Sequence, residues 1–113
     1  MKARYRLTIK ERRAELAAVL KNALIDFDRH QRKLIHTYPH GSVAERMADA
    51  VISLEKGEPH LLVPGPLRLD KMAVAIVNAH RDFDRENKWS DGYDHDKVGE
   101  SLAKAVSKSE ITL

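Results

Sequence analysis

The sequence predicts an all-α fold: a tandem duplication of a helical hairpin, giving a four-helix bundle-like arrangement with pseudo-twofold symmetry. Three observations lead there. Apolar residues recur at steps of three and four, the period of an amphipathic helix. Stretches rich in Pro, Gly and Asp divide these runs into four. The chain also repeats itself.

The repeat is plainest in "DFDR", at residues 26–29 and again at 82–85. Aligning residues 18–33 with 74–89 gives identities at Asn22/Asn78, Ala23/Ala79, Asp26/Asp82, Phe27/Phe83, Asp28/Asp84 and Arg29/Arg85. With one residue removed from the second copy, 38–55 lies over 93–110. It matches at Tyr38/Tyr93, His40/His95, Val43/Val98, Glu45/Glu100, Ala48/Ala103, Ala50/Ala105, Val51/Val106 and Glu55/Glu110. That is fourteen identities in 34 positions, where random pairing gives about two.

The elements follow in order. "TIKE" (Thr8 to Glu11) is a capping box that starts a first helix over about residues 9–35. Leu16, Leu20, Ala23, Phe27, His30 and Leu34 line one of its faces. "YPHG" breaks it. "SVAE" (Ser42 to Glu45) is a second capping box, followed by Val43, Met47, Val51 and Leu54, with a stop at Gly57. "GEPHLLVPGPLRL" holds three prolines and two glycines and is expected to be non-helical. Asp70 is the expected N-cap of a third helix running to about Trp89. Its stretch "MAVAIVNA" (Met72 to Ala79) is apolar on nearly every side and predicts the most buried helix. "SDGYDHD" connects to a fourth helix, from near Lys97, with Val98, Leu102 and Val106. Ala44, Ala48 and Ala103 allow close helix approach. The expected organisation is one domain of two repeats, about 8–57 and 64–111, behind a basic arm at 1–7. Helix 1 should superpose on helix 3, and helix 2 on helix 4. The alternative is an open hairpin pair that a second copy completes, a homodimer.

Composition bounds the function. The chain has 113 residues, 42% apolar and 33% charged, enough for one modest core of Leu, Ile, Val, Met and Ala. It has no cysteine, which excludes disulfides, thiol nucleophiles and cysteine-bearing zinc sites and fits a reducing compartment. No apolar run approaches the ~18 residues of a bilayer span. "MKARYRLTIK" lacks the apolar stretch of a signal peptide. A cytoplasmic protein without membrane association is expected. Residues 1–33 carry ten Lys/Arg against four Asp/Glu, a charge of +6, and the remainder carries −3. A basic head suits an anionic partner, or the protein's own acidic half.

Some repeated residues need only packing: Phe27/Phe83, Val43/Val98, Ala48/Ala103 and Val51/Val106. The repeated polar residues carry the candidate site. Asn22, Asp26 and Arg29 form one helical stripe, and Asn78, Asp82 and Arg85 form another. Tyr38 with His40, and Tyr93 with His95, lie in the turns that follow. The plainer account is a structural brace. The sharper one is a pair of equivalent ligand sites, each with guanidinium, phenol, imidazole and carboxylate, suited to a nucleotide or an exposed base in RNA.

Other patterns are weaker. His36/His40 and His80/Asp84 have i,i+4 metal-ligand spacing, but a Tyr-Pro interrupts the first pair and the second lacks an obvious third ligand. No metal or other cofactor is therefore expected. "SDGYDHDK" lacks the register of a calcium loop. No phosphate loop, nucleophile elbow or dinucleotide fingerprint occurs. Lys2, Arg4 and Arg6, continued by Lys10, Arg12 and Arg13, form an arm able to follow a phosphate backbone. The expectation is a non-catalytic binding or regulatory protein acting on a nucleic acid or nucleoprotein complex. The alternatives are a nucleotide-type small-molecule binder with two pockets, and a protein-interaction inhibitor of phage or mobile-element type.

Overall fold

Which helix ends meet decides the topology. The structure, a computed structural model, describes residues 9–31, 38–58, 66–87 and 94–111. They form α1 (Ile9–Gln31), α2 (His40–Gly57), α3 (Pro66–Glu86) and α4 (His95–Ile111). Arg12, early in α1, reaches Glu55, late in α2; Asp28, late in α1, reaches His40, at the start of α2. Arg46–Glu86 and Lys71–Glu58 set α3 antiparallel to α2. Arg81–Asp96 sets α4 antiparallel to α3. Packing of α4 on α1 closes the ring. The result is an up-down-up-down arrangement of four helices. No strand occurs among the described residues, and no helix there is long and apolar enough to cross a membrane.

The core is a set of four-residue ridges. Leu16, Leu20 and Leu24 come from α1, and Val43, Met47 and Val51 from α2. Met72 and Ile76 come from α3, and Val98, Leu102 and Val106 from α4. Ala44, Ala48 and Ala103 are fully buried between them, as small residues at close approaches should be. "MAVAIVNA" is not buried all round. Val74 is 60% exposed and Asn78 faces solvent, because α3 has packed neighbours on one side only.

Helix ends depart from expectation where tertiary contacts act on them. Helix α2 starts at His40 rather than at the Ser42 box. Pro39 stands at its N-cap without a side-chain cap, and its carbonyl accepts from the Val43 N–H at 3.1 Å. The His40 ring is held by Asp28, which fixes the first turn earlier than the local signal does. Helix α3 starts at Pro66, inside the stretch expected to be non-helical, and not after Asp70. Proline suits the first helical turn, where its missing N–H costs nothing, and Arg68 in that turn is locked onto Glu55. Helix α3 stops at Glu86, where the Asn87 side chain and backbone both donate to the Phe83 carbonyl. Helix α4 starts at His95 because Asp94 caps it, accepting from the Lys97 N–H at 3.1 Å. Thr8, Leu34 and Trp89, named in the expected boundaries, lie outside the described residues.

Gly99 marks a close approach of α4 to α3. A Cβ there would lie 2.1 Å from Val77 Cγ2 and 3.2 Å from the Ala73 carbonyl oxygen. Neither neighbour is the tip of a flexible chain. Gly57 has open space around it. Gly99→Ala should therefore lower stability by about 1–3 kcal/mol. Gly57→Ala should leave it unchanged or raise it by up to about 1 kcal/mol. Urea midpoints at constant m-value read both; equal midpoints for the two variants would contradict the close approach.

Candidate functional site

Antiparallel packing brings the ends of α1 and α3 together with the starts of α2 and α4. Six polar side chains are buried there: Asp28, Tyr38, His40, His80, Asp84 and His95. Asp28, Asp84 and His80 have no solvent exposure. Asp28 Oδ2 lies 2.9 Å from His40 Nε2. Asp84 accepts the Tyr38 hydroxyl on Oδ1 and faces His95 Nε2 at 2.7 Å from Oδ2. His80 Nε2 sits 3.0 Å from the Tyr38 hydroxyl oxygen and 3.5 Å from Asp84 Oδ2. The rings of His80 and His95 meet edge to face, with centroids 4.7 Å apart.

Helix dipoles do not explain this placement. A carboxylate in the last turn of a helix meets the negative end of the dipole, and a histidine in the first turn gains nothing from the positive end. Direct bonding among the six groups holds them there. The cluster links all four helices: Asp28 from α1, His40 from α2, His80 and Asp84 from α3, and His95 from α4.

The repeated tetrapeptide splits between two environments. A helix turns about 100° per residue, so adjacent residues of "DFDR" cannot share a face. Asp26–Arg29 and Asp82–Arg85 are i,i+3 ion pairs on the surface, at 3.5 and 2.5 Å, with the arginines 64% and 73% exposed. Phe83 is buried and Phe27 half-buried against the core. The second aspartate of each copy, Asp28 or Asp84, points inward. Tyr38, His40 and His95 join these inner aspartates and not Asp26, Arg29, Asp82 and Arg85, with which the repeat's spacing groups them. Asn22 and Asn78 face solvent. Tyr93 lies outside the described residues.

The other end of the bundle holds a second polar cluster. Glu55 accepts from Arg12 Nη2 at 2.8 Å and pairs with Arg68 Nη1 at 3.1 Å, all three side chains being at most 12% exposed. Arg13 bonds Asp49 at 2.5 Å, which raises its pKa further above the arginine value. Two members of the expected basic arm, Arg12 and Arg13, are thus spent on α2. Lys10 is exposed, and Lys2, Arg4 and Arg6 lie outside the described residues.

The missing third ligand is His95. Asp84, four residues after His80, has its second histidine on α4, and ligand atoms of the three residues lie within 4.8 Å of one another. His36, the other spacing-based candidate, lies outside the described residues.

The inner cluster had a legible signal. Continuing the α1 ridge by fours from Leu16, Leu20 and Leu24 reaches Asp28. Continuing the α3 ridge from Met72 and Ile76 reaches His80 and Asp84. Stepping back by four gives Arg12 and Arg68, which also align with each other at the repeat's shift. A polar residue that continues an apolar ridge is the mark of a buried polar group. No family model, curated protein or solved structure matches the chain. The cluster's meaning is therefore drawn from its own geometry.

Two outcomes test this electrostatic frame. Glu55→Ala leaves two largely buried guanidiniums facing each other, and should cost about 3–5 kcal/mol in urea unfolding. A loss below ~1 kcal/mol would mean that the pair is solvated like a surface bridge. Arg46, bonded to Glu86, holds that carboxyl below the usual glutamate value. A carboxyl lowered on folding adds stability above its unfolded pKa and loses it as pH falls through the folded value. Glu86→Gln should thus be slightly less stable than the parent near neutral pH and equal to it once the parent's Glu86 is protonated in both the folded and the unfolded state. A gap that persists in acid would assign the effect to something other than this ion pair.

Proposed function

We propose that this protein is a non-catalytic binding or regulatory module that docks on a polyanion, a nucleic acid or a nucleoprotein complex. One observation carries the reading: arginines bridge the helices through carboxylates, and most described lysines are left without an ion-pair partner. Arg12, Arg13, Arg46, Arg68 and Arg81 pair with carboxylates of other helices. Asp28, Asp49, Glu55, Asp84, Glu86, Asp94 and Asp96 are held in these pairs, in the histidine cluster or in a cap. Lys10, Lys21, Lys97, Lys104 and Lys108 are exposed, and none has an ion-pair partner among the described residues.

Lys97, Lys104 and Lys108 stand at i, i+7 and i+11, opposite the buried Val98, Leu102 and Val106. They make a ridge about 16 Å long on the outer side of α4. Such a ridge, with Lys2, Arg4 and Arg6 of the arm, offers point charges to a phosphate backbone. Arg29 and Arg85, held only by exposed i,i+3 aspartates, can exchange those partners for phosphate at little cost.

The reading includes the origin of the scaffold. The two hairpins descend from one by tandem duplication, with pseudo-twofold symmetry. In its support, Asp28–His40 and Asp84–His95 are matching bonds between matching residues of the alignment.

Binding of labelled duplex and single-stranded nucleic acid, followed by anisotropy across a salt series, tests the function. Expected are a linear fall of log K with log salt, and about tenfold or greater weakening for Lys97→Gln/Lys104→Gln/Lys108→Gln and for deletion of residues 1–7. Each contact is expected to contribute about one unit or less of salt slope. Equal affinity of the parent and both variants, or no binding at low salt, overturns the reading.

A further inference from the structure

We propose that His80, Asp84 and His95 bind a divalent transition-metal ion, with Tyr38 as the hydrogen-bonding support of the carboxylate. The inference stands apart from polyanion binding and rests on the buried end of the bundle.

The two ridges that form the inner faces of α1 and α3 run in parallel. In α1 the residues at steps of four are Arg12, Leu16, Leu20, Leu24 and Asp28. In α3 they are Arg68, Met72, Ile76, His80 and Asp84. The polar ends are identical, and each inner aspartate meets the histidine that opens the following helix. The chemistry differs at one place: Leu24 in the first ridge, His80 in the second. Leu24 is fully buried, so a leucine fills that layer while Asp28 and His40 still bond. The bond between aspartate and histidine therefore does not require a histidine at this position of the ridge. His80 is also fully buried, and it converts an Asp–His pair into a His–Asp–His set.

The set has the chemistry of a metal centre. Two imidazole nitrogens and one carboxylate oxygen suit zinc and its first-row neighbours, and not calcium or magnesium, which prefer all-oxygen shells. His80 and Asp84 are fixed by one helix turn, and His95 enters from α4, so one ion would join α3 to α4. The donor atoms are 2.7–3.5 Å from the shared carboxylate oxygen and within 4.8 Å of one another. Ligand bonds near 2.0–2.2 Å put neighbouring donors of a tetrahedral shell roughly 3.3–3.6 Å apart, so small side-chain rotations bring the three donors to that spacing. Each Nε2 must be unprotonated to ligate, so any proton it carries leaves or moves to Nδ1. The Tyr38 hydroxyl, bonded to Asp84 Oδ1, leaves Oδ2 to the ion, the role carboxylate supports play around metal ligands.

The test uses the full chain, stripped with chelator and dialysed. Zn²⁺ titrated in a calorimeter should bind one-to-one, and Co²⁺ should give visible d–d absorption. Zn²⁺ at about a hundred times its Kd should raise Tm by on the order of 10 °C. Mg²⁺ and Ca²⁺ should do neither. His95→Ala and His80→Leu should lower Zn²⁺ affinity at least ~100-fold, and Tyr38→Phe about tenfold. His80→Leu copies the residue of the first ridge, so its helical circular dichroism should persist. His40→Gln, in the Asp28–His40 pair, should bind Zn²⁺ as the parent does. Absence of stoichiometric Zn²⁺ and Co²⁺ binding to the parent overturns the proposal without reference to any variant. Binding that survives in folded His80→Leu overturns it equally.

Discussion

A carboxylate with no solvent exposure has to be satisfied by its neighbours, and in this protein the neighbours of Asp84 belong to different helices. Tyr38 comes from the entry to α2, His95 from the first residue of α4, and His80 from the preceding turn of α3. Rotation of either partner helix by one residue would swing its donor about 100° away and strand the charge. A core of Leu, Val, Ile, Met and Ala tolerates such slips far better, since its side chains differ little in shape. Asp28–His40 does the same between α1 and α2. Glu55, between Arg12 and Arg68, repeats the device at the other end, about 24 Å away along α1. Two polar clusters thus set the register, and the apolar layers between them supply the burial.

The four helices were legible because their apolar period is helical and turn-forming stretches separate them. Their ends were less so. Local capping signals pointed to Ser42 and Asp70, yet α2 and α3 begin at His40 and Pro66. Each early start carries a side chain that another helix holds, His40 by Asp28 and Arg68 by Glu55. A cap contributes about 1 kcal/mol, and a buried charged contact outweighs it. Asp94 is the opposite case: a local cap that the sequence did contain, obscured by the acidic run around it.

The candidate site was half legible for a similar reason. Repetition singled out the right tetrapeptide, but it cannot tell the outward from the inward aspartate, since both are repeated. The four-residue ridge can. Leu16, Leu20, Leu24 and Asp28 share a face that Asp26 does not. What no local pattern contains is the pairing across hairpins. Tyr38 and Asp84 are 46 residues apart, and only the packing of α2 against α3 brings them together.

The division between arginine and lysine follows from the same constraint. A carboxylate at a seam between helices is best held by a donor with several fixed N–H groups, and the planar guanidinium meets buried Glu55 and exposed Asp49 and Glu86 with little loss of further freedom. Lysine is a strongly hydrated point charge on a flexible stem and is poor at such sites. A chain that holds its helices in register with ion pairs therefore assigns arginine to the seams between helices. Lys10, Lys21, Lys97, Lys104 and Lys108 stay hydrated on the outside, where no carboxylate of the described residues pairs with them. The nearly balanced formal charge, +3, conceals this. Among the described residues most carboxylates have a partner within the fold, whereas Lys10, Lys21, Lys97, Lys104 and Lys108 have no ion-pair partner.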